Sequence, residues 1–400
     1  MRIAKPGLIE VALSCSLASI PLDAHFSVPA NAITAIFGPP DCGNTRLARC
    51  IAGLDHLPTG FCAFDGEVWQ DEDTFRPPHL RPICHVFQRP ILFSDLSVRR
   101  NLLYGVPQSE TASIELDRTA ELLDLVPLLE RSPSLLSDAE RQRVAIGNAL
   151  LSGPRLLVIE APLDWLDHST KRDLLPYLER LHDKLALPII YSSHDMTDIE
   201  CLADNLVMMK HGVVSAAGPL HTLQSDLALP LADRNEAAVS LDAVVSDYDG
   251  MDGLAVLGLN GARLVVPKEQ LAPGARQRLR VAARDVSVAR ELPRASSILN
   301  VFPARIEASA PFGTGEVTLL LALETGGPGT RLLSRVTRRS FDALGLKDGM
   351  DIFAQVTGIT LVPTSEVRLQ GLTASTQGNI LRKKAGESLH AAGLEGDIAF

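Results

Sequence analysis

The sequence predicts a mainly parallel α/β domain followed by a small all-β domain. Three observations carry this prediction. Short apolar, β-branched runs alternate with helical patterns up to about residue 235. From about 240 to 362 the runs become short and strand-like, punctuated by Gly and Pro. Between the first clear strand and the first helix lies "FGPPDCGNT" (37–45), which has the outline of a phosphate-binding loop, GxxxxGK[ST].

The elements follow in order. Residues 1–20 alternate loosely, as a strand pair would. "NAITAIFG" (31–38) is a buried strand ending at glycine, and "TRLARCIAGL" (45–54) has helical spacing with Leu47, Cys50, Ile51 and Leu54 on one face. "PRLLVIEAPL" (154–163) and "LPIIYSSHD" (187–195) read as further buried strands. "SDAERQRVAIGNALL" (137–151) and "HSTKRDLLPYLERLHDKLAL" (168–187) read as helices between them. In the second part, "GLAVLGL", "ARLVVP", "RLRVAARDVSVA", "VFPARIEASA", "EVTLLLALE", "TRLLSRVT" and "MDIFAQVTGITLV" read as strands of a barrel-like domain over 240–362. Residues 363–400 read as a loose tail with at most one short helix.

Composition limits the function classes. Of 400 residues, 46% are apolar and 22% charged, which is a globular balance with room for two cores. A net charge of −10 argues against nonspecific nucleic-acid binding. No apolar run approaches the roughly 18 residues a membrane span needs, and "MRIAKPGLIEVALS" lacks the pattern of a signal peptide. The six cysteines are scattered without a CxxC pair, so they read as free thiols in a reducing compartment.

In the loop, Gly38, Gly43 and Thr45 are in register with the motif, and Asn44 stands where the lysine belongs. Successive backbone N–H groups at such a turn, with a helix N-terminus behind them, cradle phosphate. Asn can donate a hydrogen bond but carries no charge.

Other motifs keep the loop company: "HVFQRPILFSDLSVRRNLLYG" (85–105), "LLSDAERQRVAIGNALLSGPRLLVIEAPLDWLD" (135–167) and "IIYSSHDMTDIECLAD" (189–204). Their order over residues 1–235 resembles the ATP-binding subunits of ABC transporters: Walker A, Q-loop, signature, Walker B, D-loop and H-loop. The wording, together with "RDVSVA", "SSILNVFPARI" and "RVTRRSFDALGLKDG", is most similar to molybdate-importer ATP-binding subunits with a C-terminal oxyanion-binding (Mop/TOBE-like) domain. The resemblance implies an ABC-type nucleotide-binding domain over 1–235, with an antiparallel β edge and a helical arm at about 90–150.

It also implies roles. Gly38, Pro39, Pro40, Asp41, Cys42, Gly43, Asn44, Thr45 and Arg46 would form the phosphate loop. Thr45, Gln88 and Glu160 would face Mg2+, and His194 the γ-phosphate. Ser137, Asp138 and Ala139 of "LSDAE" would cap the nucleotide held by the opposite subunit, with Asp167 in the D-loop. The chain departs from the family at Asp41 (glycine expected), Asn44 (lysine), Glu160-Ala161 (Asp-Glu), the signature glycines, and Ile20 (an adenine-stacking aromatic). Ala161 cannot act as the general base.

In the second domain, Ser296, Ser297, Asn300, Thr337, Arg338, Ser340 and Lys347 lie in segments similar to the molybdate- or tungstate-binding motif; as polar residues they read equally as turn and strand-edge positions. The implied partners are a membrane permease at the cytoplasmic face of the inner membrane, a second copy of the chain and, indirectly, a substrate-binding protein. Three functions stay open: an importer ATP-binding subunit with impaired hydrolysis, a non-hydrolysing oxyanion-binding or regulatory protein, and an active ATPase with compensating residues.

Overall fold

The computed structural model describes residues 4–15, 21–106, 112–160, 168–259, 262–268, 271–324 and 330–362; the tail read over 363–400 lies outside them. In chain order the first part contains strands β1 (Leu8–Cys15), β2 (Leu22–Pro29) and β3 (Ile33–Phe37), helix α1 (Asn44–Ala52), then β4 (Phe61–Phe64), β5 (Glu67–Gln70) and β6 (Ile83–Val86). Helices α2 (Val98–Leu102), α3 (Ala112–Leu122) and α4 (Asp138–Leu151) form the arm. There follow β7 (Leu156–Ile159), α5 (His168–Leu185), β8 (Ile189–Ser193), α6 (Met196–Leu202), β9 (Asn205–Lys210), β10 (Val213–Pro219) and α7 (Leu220–Gln224).

These strands make one sheet in the order β5-β4-β1-β2-β10-β9-β3-β8-β7-β6. β3 runs parallel to β8 and β9, and β7 runs parallel to β8 and β6. β1 pairs antiparallel with β2 and β4, and β4 with β5, so the expected antiparallel edge is present. Parallel strands covered on both faces read as continuous apolar runs, and β7 and β8 are buried along their whole length. The carboxyl ends of β3, β6, β7 and β8 lie along one edge, where ligands of such sheets bind. Residues 38–45, Gln88, Glu160 and His194 leave the sheet there.

Two sequence expectations are corrected. The partner of β1 starts at Leu22 rather than before residue 20, because the inward alternation Leu22, Ala24 and Val28 lies past Pro21. Leu54 does not share the buried face of α1: the helix ends at Gly53 with φ 75, which turns Leu54 outward to 37% exposure. Leu47, Cys50 and Ile51 are buried as read.

The far end of α1 is held by a buried cation. The Arg81 guanidinium donates to Cys50 O and Ile51 O at 3.1 and 2.6 Å and to Arg76 O at 2.7 Å, and it lies against the Trp69 and Phe75 rings. A cation on the last carbonyls of a helix is favoured by the helix dipole. This ties α1 to the antiparallel edge, and α1 in turn carries the phosphate loop.

The second part comprises β11 (Ala238–Asp249), β12 (Leu254–Leu259), β13 (Ala262–Pro267), β14 (Arg276–Ala282), β15 (Val286–Ala289), β16 (Asn300–Phe312), β17 (Glu316–Leu323), β18 (Arg331–Thr337), α8 (Arg338–Ala343), β19 (Asp351–Val356) and β20 (Thr360–Leu361). Two five-stranded antiparallel sheets, β13-β12-β11-β14-β20 and β15-β19-β16-β17-β18, close on one apolar core. β11 is the strand the sequence reading lacked. Its Ser240, Asp242, Ser246 and Asp247 dilute the apolar pattern, although Val239, Leu241, Ala243 and Val245 point inward. Among the described residues, no helix is long and apolar enough to cross a membrane.

The two parts are joined by polar contacts. Arg278 of β14 donates to Asp204 (2.7 Å), Asp242 (3.0 Å) and Ala203 O (2.9 Å). Arg280 reaches Glu200 of α6 at 2.7 Å, and Gln224 of α7 bridges Glu200 and Ser240. Glu200 is buried, and burial raises its pKa even though Arg280 opposes the shift. The Arg280→Met variant is therefore expected to lose about 3 kcal/mol at neutral pH, since it leaves a buried carboxylate unpaired. A carboxyl whose folded pKa lies above its unfolded value destabilises the fold progressively as pH rises through that interval. The loss should accordingly be smaller at pH 5 than at pH 8. Urea unfolding at the two pH values measures it; an equal loss at both would refute the assignment to Glu200.

Candidate nucleotide site

The loop 38–45 is a strand-to-helix turn, from the end of β3 to the N-terminus of α1. Asp41 takes φ 61 and Gly43 φ 101, the left-handed conformations such a turn needs. Gly38 has no room for a side chain: a Cβ there would collide with Met209 O and Cys42 Sγ. The loop is pinned from below by Gly212 N to Cys42 O at 2.8 Å and closed by Cys42 N to Pro39 O at 3.2 Å. Pro39, Pro40, Asp41 and Thr45 are exposed, Arg46 is half-buried, and Cys42, Gly43 and Asn44 are buried.

Asn44 is only 4% exposed. Its Oδ1 accepts from the Cys42 thiol at 2.9 Å, and its Nδ2 has no partner among the described residues. A buried donor without an acceptor is unfavourable. A phosphate oxygen in the loop would satisfy it, so the backbone cradle and Asn44 fit a phosphate while supplying no cation. Burial raises the Cys42 thiol pKa and keeps it protonated, as the bond to Asn44 requires. Asp41, being exposed, repels an anion less than a buried carboxylate would. At 4 Å the figure is about 1 kcal/mol in water against about 4 kcal/mol at an effective dielectric of 20.

His194 follows β8 and reaches back to the loop, with Nδ1 2.5 Å from Gly38 O. A carbonyl only accepts, so Nδ1 carries the proton, and a neutral ring presents Nε2 as an acceptor. The next turn of chain is fixed by Lys171, which lies 3.3 Å from Asp195 and 3.1 Å from Asp198. Gln88 is exposed two residues past β6.

Glu160 follows β7, its N–H donating to Val86 O at 2.9 Å, and its side chain is 12% exposed. One oxygen lies 3.7 Å from His85 Nε2. Burial, with a smaller contribution from Arg49, pushes the His85 pKa down to about 4. The ring is therefore neutral at pH 7, and the contact is not an ion pair. His85 was missed by the sequence reading, because a histidine inside "PICHVFQ" looks like one more core position. Thr45, Gln88 and Glu160 supply the oxygen donors that Mg2+ takes, so their donor types fit that ion. Ala161 and Asp167 lie outside the described residues, as does Ile20.

The "LSDAE" segment opens α4 in the arm. Ser137 caps the helix: its Oγ accepts from Glu140 N at 3.3 Å, and Ser137 N donates to the Glu140 carboxylate at 2.7 Å. Asp138 is exposed, with Arg141 3.8 Å away, and Ala139 is buried. Beside the Q-loop, a groove of about 250 Å³ is lined by Phe87, Ile91, Phe93, Tyr104 and Asn148, of which Ile91 is 87% exposed. A larger cleft of about 480 Å³ between α5, α6 and β14 mixes Glu179 and Asp183 with Lys184 and Arg276, and lies away from the phosphate loop.

In the β part, Asn300 is buried and both ends of its amide hold Val265, at 2.8 Å each. Ser296 Oγ accepts from Ile298 N, and Ser297 stands next to it in the loop before β16. Thr337 caps α8, bonding Ser340, and Arg338 N donates to Gly315 O. Strand register puts Asn300 opposite Val356 and Thr337 opposite Glu316, which itself faces Phe312. The two groups thus sit at opposite ends of β16, separated by about 40 Å at ~3.3 Å per residue. Lys347 lies between α8 and β19. One chain does not bring the set together.

Comparison with known proteins finds one family profile within each part. The ABC transporter family profile matches residues 22–164, and the TOBE domain profile matches residues 296–357. The chain is 62% identical over 352 residues to the molybdenum import ATP-binding protein ModC 1 of Bradyrhizobium diazoefficiens, covering 88% of this chain and 95% of that protein. It is 53% identical over 367 residues to the molybdenum import ATP-binding protein ModC of Rhodopseudomonas palustris strain HaA2, covering 91% and 97%. Among solved structures, cbiO1 from Clostridium perfringens, part of the ABC transporter complex cbiONQ, aligns at 23% identity with a TM-score of 0.49 over 54% of this chain and 89% of that one.

Proposed function

Because the chain belongs to the molybdenum import ATP-binding proteins of the ABC transporter family, we propose that it is the ATP-binding subunit of a molybdate importer whose hydrolysis is impaired. The observation that carries the impairment is Asn44: a buried amide with an unpartnered donor, where the phosphates' cation should stand. The cradle holds phosphate through backbone N–H groups and Nδ2 of Asn44. Thr45, Gln88 and Glu160 would hold the metal through oxygen donors. ATP with Mg2+ would supply the phosphoryl group for transfer to water; Ala161, at the position of the family's general base, cannot take the proton from that water.

The partner surface supports the importer role. Phe87, Ile91, Phe93 and Tyr104 expose apolar area beside Gln88, and an exposed patch of this kind marks a protein contact. We assign it to the permease, which places the chain at the cytoplasmic face of the inner membrane as a peripheral subunit, with the substrate-binding protein as an indirect partner. The β part, from about residue 240, is the candidate molybdate- or tungstate-binding domain. An oxyanion site that uses both ends of β16 requires a second copy of the chain. That observation favours a homodimer, and it keeps open the second reading, a non-hydrolysing oxyanion sensor. Equilibrium binding of Mg-ATP to the purified chain separates the two: measurable saturable binding supports the importer subunit, and its absence with intact molybdate binding supports the sensor.

A further inference from the structure

We propose that His85 and Glu160 together form a divalent-cation site that prefers a borderline transition ion, Mn2+ or Co2+, over Mg2+. The inference takes its place in the molecule from the nucleotide-site reading, but its test does not depend on nucleotide. Three observations converge. His85 Nε2 and a Glu160 oxygen are 3.7 Å apart, close to the separation two ligands of one ion adopt at about 2.1 Å each with a wide ligand–metal–ligand angle. Neither ring nitrogen of His85 has a hydrogen-bond partner among the described residues, although the side chain is only 8% exposed. Buried polar nitrogens are ordinarily paired, and Nε2 of this imidazole lies beside the Glu160 carboxylate without a hydrogen bond.

The backbone fixes the pair. His85 sits in β6 opposite Val158 of β7, and Glu160 leaves β7 with its N–H on Val86 O. Phe87 stacks edge-on against the imidazole at 4.6 Å and limits its rotation. A nitrogen ligand disfavours Mg2+, which takes oxygen and keeps its waters, and favours ions further along the divalent series. The alternative is that His85 only fills space beside Phe87, and the test separates the two.

The test uses the full chain with Mn2+ alone. Electron paramagnetic resonance is expected to show saturable Mn2+ binding that survives a tenfold excess of Mg2+. Electron spin-echo modulation should show a 14N coupling from a bound imidazole. The His85→Phe substitution should weaken Mn2+ at least tenfold, remove the coupling and leave Mg2+ binding within twofold. His85→Gln serves if the Phe variant does not fold by circular dichroism. Absence of Mn2+ binding, bound Mn2+ without nitrogen coupling, or an unchanged Mn2+/Mg2+ ratio in the variant each overturns the proposal. ATP binding measured separately can fail without altering the metal result.

Discussion

A variant carrying Asn44→Lys, Asp138→Gly, Ala139→Gly, Glu160→Asp and Ala161→Glu together is expected to release phosphate from Mg-ATP about 10³-fold faster than the unaltered chain, which should stay near background. In the family, each nucleotide lies between the Walker half of one subunit and the signature of the other. A homodimer of this chain therefore carries both kinds of departure at both sites. Pairing with an intact subunit would not rescue the intact Walker half, because that half would still face "LSDAE". Single reversions should each gain little. Ala161→Glu supplies a base, but the phosphates lack their cation and the metal carboxylate is a methylene too long. Residues that act as one unit are strongly non-additive, so the five together should exceed the product of the five alone. Steady-state phosphate release by the parent, the single variants and the combined variant is the measurement. Robust turnover by the parent, abolished by His194→Ala, would show a working ATPase and sink the proposal of impaired hydrolysis.

The second large effect concerns affinity. Asn44→Lys with Asp41→Gly is expected to tighten Mg-ATP at least tenfold, a change of about 1.4 kcal/mol. The introduced lysine supplies the missing cation at a position where Asn44 is only 4% exposed, and charge interactions there are stronger than at the surface. Asp41 is exposed, so its removal should contribute the smaller share. The same burial makes a second expectation. Without nucleotide, the new ammonium is a buried unpaired charge, and the variant should melt below the parent; with Mg-ATP it should show the larger upward shift. Isothermal titration and thermal melts with and without nucleotide read both. A double variant that binds no tighter than the parent would refute the electrostatic account.

Much of the fold was legible because it rests on local pattern. β3, β7 and β8 are continuous apolar runs, and Ser137 with Glu140 spells a helix start that the structure reproduces as a reciprocal cap. The phosphate turn was legible because few residues tolerate left-handed backbone, and the sequence puts Asp41 and Gly43 at the two positions that need it. β11 was not legible: its serines and aspartates interrupt the apolar run, and pairing with β12 and β14 decides that Val239, Leu241, Ala243 and Val245 are the buried face. The start of β2 and the end of α1 were misplaced for a related reason, since periodicity fixes a face better than a boundary.

By itself the sequence determined the family, the two-part architecture and the departures at Asp41, Asn44, Glu160 and Ala161. These are matters of residue identity and spacing along one chain. Tertiary structure alone decided what surrounds them. It buried Asn44 and left its donor unpaired, and it exposed Asp41 so that water screens it. Nδ1 of His194 was turned onto Gly38, and the halves of the oxyanion set were placed at opposite ends of β16. Above all it brought His85 beside Glu160 across two parallel strands from distant parts of the sequence. The reason is physical: dielectric environment, hydrogen-bond satisfaction and cation preference depend on which groups share a space, and strand register, not sequence order, sets that.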